Sequence, residues 1–184
     1  MASAIRLSPN QLPKLYNRLP PICKKLGIEQ PEFYLSMDPN PNAWTFGDTK
    51  IFITITSGLV DMMTEEELDA VIAHECGHIL CHHVLYHSIA HYVMDGLDSL
   101  GVYWERKSEL SCDRAASIVT TPAIVASTMA RLSGGPTSIT KNIDMEEWAK
   151  QADQYEAIRN DGLWNKTLQV AAIMNQNHPF SAVR

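Results

Sequence analysis

The segment His74-Glu75-Cys76-Gly77-His78 places two histidines four residues apart, in a stretch whose apolar residues recur at helical spacing. Residues four apart lie on one face of an α-helix, so both imidazoles can reach one metal ion. Glu75 projects to the side of that pair, where its carboxylate can hold a water molecule. The motif is short and also occurs by chance, so its weight depends on the surrounding helix and on a third ligand.

A helix start precedes this motif. Thr64 and Glu67 are spaced as in a capping box, in which the first residue caps the helix and the second reaches back to it. Apolar residues continue at helical spacing beyond the motif, and they predict a helix that runs to about His91 or Met94. Gly96 is a plausible end. The motif would then lie near the middle of a long helix.

The third ligand has to come from elsewhere, because catalytic zinc takes three protein ligands and leaves one position for water. Glu109 and Asp113 stand out downstream because they are four apart on a predicted helix, next to small residues that let another helix approach. Glu109 would bind zinc, and Asp113 would accept the free N–H of His74 or His78. The alternatives are a solvated glutamate and an ion pair between Asp113 and Arg114.

H-E-x-x-H followed by E-x-x-x-D-x-x-A resembles the gluzincin metallopeptidases, in particular family M48, which holds the CAAX-prenyl endopeptidase and the HtpX-type proteases. Further segments match in the order of the family, and the resemblance covers about residues 30–184. These segments are Asn42-Ala43-Trp44, Ile51-Phe52-Ile53-Thr54, Gly58-Leu59-Val60, His83, and His178-Pro179 with Arg184. Well-known members carry membrane segments near the active-site helices, and no such segment is present here.

The resemblance implies a zinc-dependent endopeptidase with one Zn²⁺ per chain. Zinc held by His74, His78 and Glu109 would lower the pKa of its water to about 7. Glu75 takes the proton as the water attacks the scissile carbonyl, and then delivers it to the leaving amine. His178 would donate to the oxyanion that develops in this step.

Substrate binding is implied in the same way. The strand that carries Ala43, Trp44 and Thr45 would bind a peptide or an unfolded protein by strand addition, which gives affinity with little sequence preference. Arg184 would pair with a carboxylate near the site or contact the substrate. The side-chain specificity cannot be predicted from these residues.

Turn signals and runs of β-branched residues predict strands at 32–37, 43–46 and 50–56, ahead of helical patterns. Strands followed by helices are typical of an α+β protein. We therefore expect a zincin-like α+β fold, with a small three-stranded sheet packed on the active-site helices and a mostly helical C-terminal part. Residues 1–29, which prolines interrupt, are expected to form short helices outside a catalytic domain at 30–184.

Composition excludes several classes of protein. The net charge of −6 argues against nucleic acid as a partner, because such partners favour basic surfaces. No apolar run reaches the roughly 18 residues of a membrane helix, and the first residues lack the pattern of a signal peptide. We therefore expect a cytoplasmic chain with no membrane segment, in which the four cysteines are reduced thiols.

Two other functions remain open. The chain could be an inactive or latent zinc-binding interaction domain of a larger protein, although the intact Glu75 favours activity. It could also be a metal-free helical domain with an accidental motif. Six of the seven histidines lie between positions 74 and 91. We interpret the four that are not in the motif, His82, His83, His87 and His91, as surface or packing residues.

Overall fold

A four-stranded sheet lies on a group of helices in the computed structural model, which describes residues 4–47, 50–83 and 98–151. The strands are β1 (Ala4–Arg6), β2 (Glu32–Ser36), β3 (Ala43–Phe46) and β4 (Phe52–Thr56), in the spatial order β1-β2-β4-β3. β2 and β4 are parallel, whereas β1 is antiparallel to β2 and β3 is antiparallel to β4. β3 is therefore an edge strand.

The predicted α+β class is confirmed, but the prediction of three strands is wrong, because β1 adds a fourth. β1 is only three residues long, too short for an alternating pattern to indicate a strand. It forms by long-range pairing, with Ile5 opposite Leu35 and Arg6 opposite Tyr34. The Arg6 guanidinium also lies 2.8 Å from the Glu32 carboxylate.

Helices make up most of the described chain. They are α1 (Pro13–Tyr16), α2 (Leu19–Leu26), α3 (Ser57–Met62), α4 (Glu65–Leu80), α5 (Asp98–Val119), α6 (Pro122–Gly134) and α7 (Thr137–Thr140), and a further helical stretch covers 145–151. Among the described helices, none is long and apolar enough to cross a bilayer. The C-terminal part, which was expected to be mostly helical, is described only as far as residue 151.

Helix α4 begins as predicted and ends earlier than predicted. Thr64 Oγ1 accepts the N–H of Glu67, and the Glu67 carboxylate accepts the N–H of Thr64, which completes the capping box. The helix stops at Leu80, and His82 adopts a left-handed φ of 54° in the turn that follows. The predicted continuous helix is therefore interrupted at Cys81 and His82, and its continuation to about residue 91 falls outside the described residues. The H-E-x-x-H motif lies in the C-terminal half of α4.

The hydrophobic core lies between the sheet, α2 and α4. α2 packs on this core through one face, on which Leu19 and Cys23 are 0% and 3% exposed. The core also takes in buried residues of the strands and of α4. These are Phe33, Ile53, Ile55, Leu68, Ile72 and Cys76.

Helices α4 and α5 approach each other closely at Gly77. A Cβ atom at this position would lie 2.8 Å from the Cα of Cys112 and 3.2 Å from the Cβ of Ala115. Only glycine leaves room for this approach. It brings the acidic residues of α5 up to the two histidines of α4.

Candidate metal centre

Two histidines of α4 and one glutamate of α5 converge at this helix contact. His74 Nε2 lies 3.4 Å from Glu109 Oε2, and His78 Nε2 lies 3.4 Å from Glu109 Oε1. Ligand atoms about 2.0–2.1 Å from a tetrahedral zinc are separated from one another by roughly 3.3–3.4 Å. The three side chains are therefore candidates for the donor set of one zinc ion.

Asp113 fixes the orientation of one of these histidines. Its Oδ1 lies 3.0 Å from His74 Nδ1, so His74 donates its Nδ1–H to the carboxylate and directs Nε2 towards Glu109. Burial opposes a charge on His74, but the hydrogen bonds to Asp113 and Glu109 and the charge of Glu75 raise the pKa of His74 to about 9. The same carboxylates would stabilise a metal cation at this position.

Cys112 offers a second possible donor set. His74, His78 and Cys112 each have a donor atom within 4.8 Å of the others, which among the described residues forms a group that could hold a metal ion. Burial, together with the charges of Glu109 and other nearby carboxylates, raises the pKa of the Cys112 thiol. Glu109 and Cys112 are therefore two candidates for the third ligand.

Glu75 lies beside the two histidines and is held by the edge strand. Its side chain is buried at 7% exposure, and its Oε2 accepts a hydrogen bond of 2.7 Å from Thr45 Oγ1. Thr45 was predicted as part of the substrate-binding strand, but its contact with Glu75 was not predicted. Successive side chains of a strand point to opposite faces, so the sequence predicts that Thr45 and Trp44 lie on different faces of β3. No local pattern predicts the contact of Thr45 with α4.

Ala43 and Trp44 lie on opposite faces of β3. Ala43 lines a cavity next to His74 and Glu75, whereas the Trp44 side chain is 39% exposed on the other face of the sheet. Thr56 donates its N–H to the carbonyl of Asn42, the residue before β3. In an antiparallel pair of strands, every second residue forms hydrogen bonds to the partner strand, so the main-chain groups of Trp44 also face β4. The main-chain groups of Ala43 and Thr45 then point to the outer edge of the sheet, where the Ala43 N–H meets Asn42 Oδ1 at 2.9 Å.

The cavity beside Glu75 has a volume of about 220 Å³. His74 and Glu75 form its polar end, and apolar side chains form most of the rest. These are Leu59, Val71, Ala116, Val125, Met129 and Leu132. A cavity of roughly 150 Å³ accommodates a benzene molecule, so this one is large enough for a single apolar side chain.

The structure also brings His83 to the centre, where the sequence analysis expected only a surface or packing residue. His83 is 6% exposed, and its Nδ1 lies 3.3 Å from His78 Nδ1. His82, which precedes it, is exposed. The predicted residues His178 and Arg184 lie outside the described part of the chain, as do His87 and His91, so their roles stay predictions.

Most of the sequence matches one known protein family. The sequence model of Peptidase family M48 matches residues 9–184. The chain belongs to family M48. The resemblance stated from the motifs is therefore confirmed, and the match includes most of the predicted N-terminal segment at 1–29.

Curated relatives of this M48 chain include metallopeptidases of plants and bacteria. It is 30% identical to the plastoglobule-localized metallopeptidase 48 of Arabidopsis thaliana, over 100% of this chain and 58% of the relative. It is also 38% identical to a protease HtpX homolog of Tropheryma whipplei, over 43% of this chain and 28% of the relative. The chain therefore spans less than two thirds of these relatives. No solved structure matches it.

The location of this M48 chain is not established by these relatives. The name of the Arabidopsis protein places that protein at plastoglobules in the chloroplast. The predicted cytoplasmic location of the present chain therefore stays a prediction.

Proposed function

We propose that this M48 chain is a zinc-dependent endopeptidase, with one zinc ion held by His74, His78 and Glu109. The observation that carries the proposal is the approach of both Nε2 atoms to the Glu109 carboxylate, each at 3.4 Å, beside the buried Glu75. Zinc bound there would polarise the scissile carbonyl and lower the pKa of a water molecule. Asp113 would hold the Nδ1 proton of His74 and keep its Nε2 directed towards the site.

Glu75 is the proposed general base. Thr45 donates a hydrogen bond to Oε2, which fixes the carboxylate plane and directs Oε1 as the acceptor of a proton from water. The protonated Glu75 would then give this proton to the leaving amine. The role of His178 as a donor to the oxyanion, and that of Arg184 near the substrate, complete the proposed set.

The proposed substrate is a peptide or an unfolded protein in extended form. β3 is an edge of the described sheet, and its outward main-chain groups at Ala43 and Thr45 can pair with an added strand. Such a strand would pass Glu75, because Thr45 contacts this residue directly. The apolar cavity next to Glu75 would then take one apolar side chain near the scissile bond.

The role of Glu75 is tested by Glu75→Gln, which removes the base and keeps the shape of the side chain. We expect this variant to retain zinc, measured by elemental analysis, and to lose nearly all digestion of casein. Glu66→Gln is the matched control, because Glu66 is an exposed glutamate of the same helix. Cleavage by Glu75→Gln at the parent rate would exclude Glu75 as the base. Zinc binding without cleavage by the parent would favour the interaction-domain alternative.

The ligand set is tested by zinc affinity. Glu109→Ala should weaken zinc binding by at least about 10-fold, and Asp113→Ala by about 10–100-fold through loss of the hydrogen bond to His74. Cys112→Ser should leave zinc affinity near the parent value, which separates the two possible donor sets. Stoichiometric zinc after replacement of both His74 and His78 by Ala would contradict the proposed site.

A further inference from the structure

His83 contacts one of the two proposed histidine ligands through a ring nitrogen. Its Nδ1 lies 3.3 Å from His78 Nδ1, and the two ring centroids are 5.3 Å apart at an interplanar angle of 74°. The His83 Nδ1 also lies 3.5 Å from Cys112 Sγ. With His83 only 6% exposed, water competes little for a hydrogen bond at this position.

The backbone conformation at His82 produces this contact. In a continuous helix, residue 83 would be rotated by roughly 140° from residue 78 about the helix axis, and the two side chains would diverge. Instead α4 ends at Leu80, and His82 adopts a φ of 54°. Non-glycine residues rarely adopt this left-handed conformation, and such positions cluster at functional sites. The turn returns His83 to the face that carries the histidine ligands.

The position of the protons follows from the geometry. With the proposed zinc on His78 Nε2, which faces Glu109, the ring proton of His78 would be on Nδ1. The partner of this N–H is His83 Nδ1, which has to be the acceptor. His83 therefore carries its own proton on Nε2. His74 is arranged in the same way, with Asp113 as the acceptor of its Nδ1–H.

We infer that His83 is a positioning residue that accepts the Nδ1–H of His78 and fixes the tautomer and ring orientation in which Nε2 binds zinc. The inference rests on the proposed zinc site. A neutral acceptor suits this position, because Glu75, Glu109 and Asp113 already bring three buried carboxylates to the centre. A fourth carboxylate here would add a further charge to be desolvated.

The test compares zinc affinities, measured by competition with a chromophoric chelator. His83→Leu fills the space without an acceptor, and it should weaken zinc binding by about 10–100-fold. His83→Asn keeps an acceptor oxygen close to the position of Nδ1, and it should retain most of the parent affinity. His82→Asn is the matched control, because His82 is exposed and asparagine tolerates the left-handed conformation. Parent affinity is expected for this control.

Equal zinc affinities in the parent and His83→Leu would overturn the inference, and so would equal losses in His83→Leu and His83→Asn. A parent protein that binds no zinc would instead overturn the proposed function.

A second experiment uses only the zinc-loaded parent protein, so it does not depend on whether a variant folds. ¹⁵N spectra of the histidine rings should show His83 protonated at Nε2, with Nδ1 as an acceptor. A proton on His83 Nδ1 would overturn the inference.

Discussion

Glu67 is a single residue that performs two structural tasks at the start of α4. Its carboxylate accepts the N–H of Thr64 at 2.9 Å, as the second half of the capping box. The same carboxylate accepts hydrogen bonds from Arg131 Nε at 2.6 Å, Arg131 Nη2 at 2.8 Å and Ser127 Oγ at 2.6 Å. The helix that carries the candidate ligands is thereby joined at its N-terminus to α6.

Arg131→Leu should destabilise the protein by about 3–5 kcal/mol, because it leaves the Glu67 carboxylate buried without its ionic partner. Both side chains of the pair are less than 10% exposed. Urea denaturation of parent and variant measures the difference in the free energy of unfolding. Arg114→Leu removes an exposed arginine of α5 and should leave stability nearly unchanged. Similar values for the two variants would contradict a stabilising role for the pair.

The same carboxylate predicts a dependence of stability on pH. Burial opposes ionisation of Glu67, but the hydrogen bonds from Arg131 and Ser127 lower its pKa from the ordinary 4.5 to about 2. The stabilisation is therefore fully present above pH 4.5 and is lost as the pH falls towards 2. Unfolding of the parent should show this loss in that range, and Glu67→Gln should not. Parallel pH profiles of the two proteins would contradict the assignment.

At the scale of helices and strands, the contact between α4 and α5 determines the geometry of the candidate centre. Glu109 and Asp113 reach His74 because Gly77 lets the backbone of α5 approach within contact distance. The two helices make the most extensive contact between any two described elements. Small changes in their separation therefore act directly on the distances between the ligand atoms.

Gly77→Ala tests this dependence. The added Cβ would lie 2.8 Å from a backbone atom of Cys112, so α5 has to move away, at a cost of about 1–3 kcal/mol for overpacking. We expect a lower melting temperature and weaker zinc binding. Gly27→Ala is a useful comparison, because a Cβ there meets nothing within 4 Å although φ is +70°. It should lower stability through backbone strain and leave zinc affinity unchanged.

Local patterns predicted the start of α4 and the bounds of β3, but not the end of α4. The cap at Thr64 and the strand at 43–46 follow from neighbouring residues, and both are present. The end of α4 depends on the turn at His82, which brings His83 back to His78, and no apolar periodicity encodes that contact. β1 likewise depends on a partner strand far away in the sequence.

At the scale of the whole molecule, the N-terminal segment and the catalytic part share one core. Leu19 of α2 is completely buried, and Arg18 of the same segment contacts Asp69 of α4 at 2.8 Å. The predicted boundary between 1–29 and 30–184 is untested by these contacts, but we propose that the two parts fold as one unit.

Leu19→Ala should therefore destabilise the protein by about 2–5 kcal/mol, since it leaves a cavity in the shared core. Lys24→Ala changes an exposed residue of the same helix and is the control. Thermal unfolding followed by circular dichroism measures both. If Leu19→Ala lowered the melting temperature of a separate unfolding transition and left the main transition unchanged, the N-terminal part would fold independently.

The candidate site could be predicted only where its residues follow a local spacing. His74, Glu75 and His78 follow the pattern of one helix, and Glu109 and Asp113 follow that of another. Glu109 lies within 3.4 Å of both histidines, and Asp113 lies 3.0 Å from His74. Their roles stay predictions until zinc binding is measured. The contacts of Thr45 and His83 could not be predicted, because they depend on the packing of a strand edge against α4 and on the turn at His82.

The edge of β3 has a consequence for the kinetics of the proposed enzyme. A strand edge pairs with the main chain of its ligand, so a folded protein has to release a segment from its own hydrogen bonds before it can bind there. The rate of cleavage of a folded substrate should then follow that substrate's own opening equilibrium, whatever its sequence. In a set of destabilised variants of one substrate, each 1.4 kcal/mol of lost stability should speed cleavage by about 10-fold. The stability of the substrate would thus act as the main determinant of selectivity.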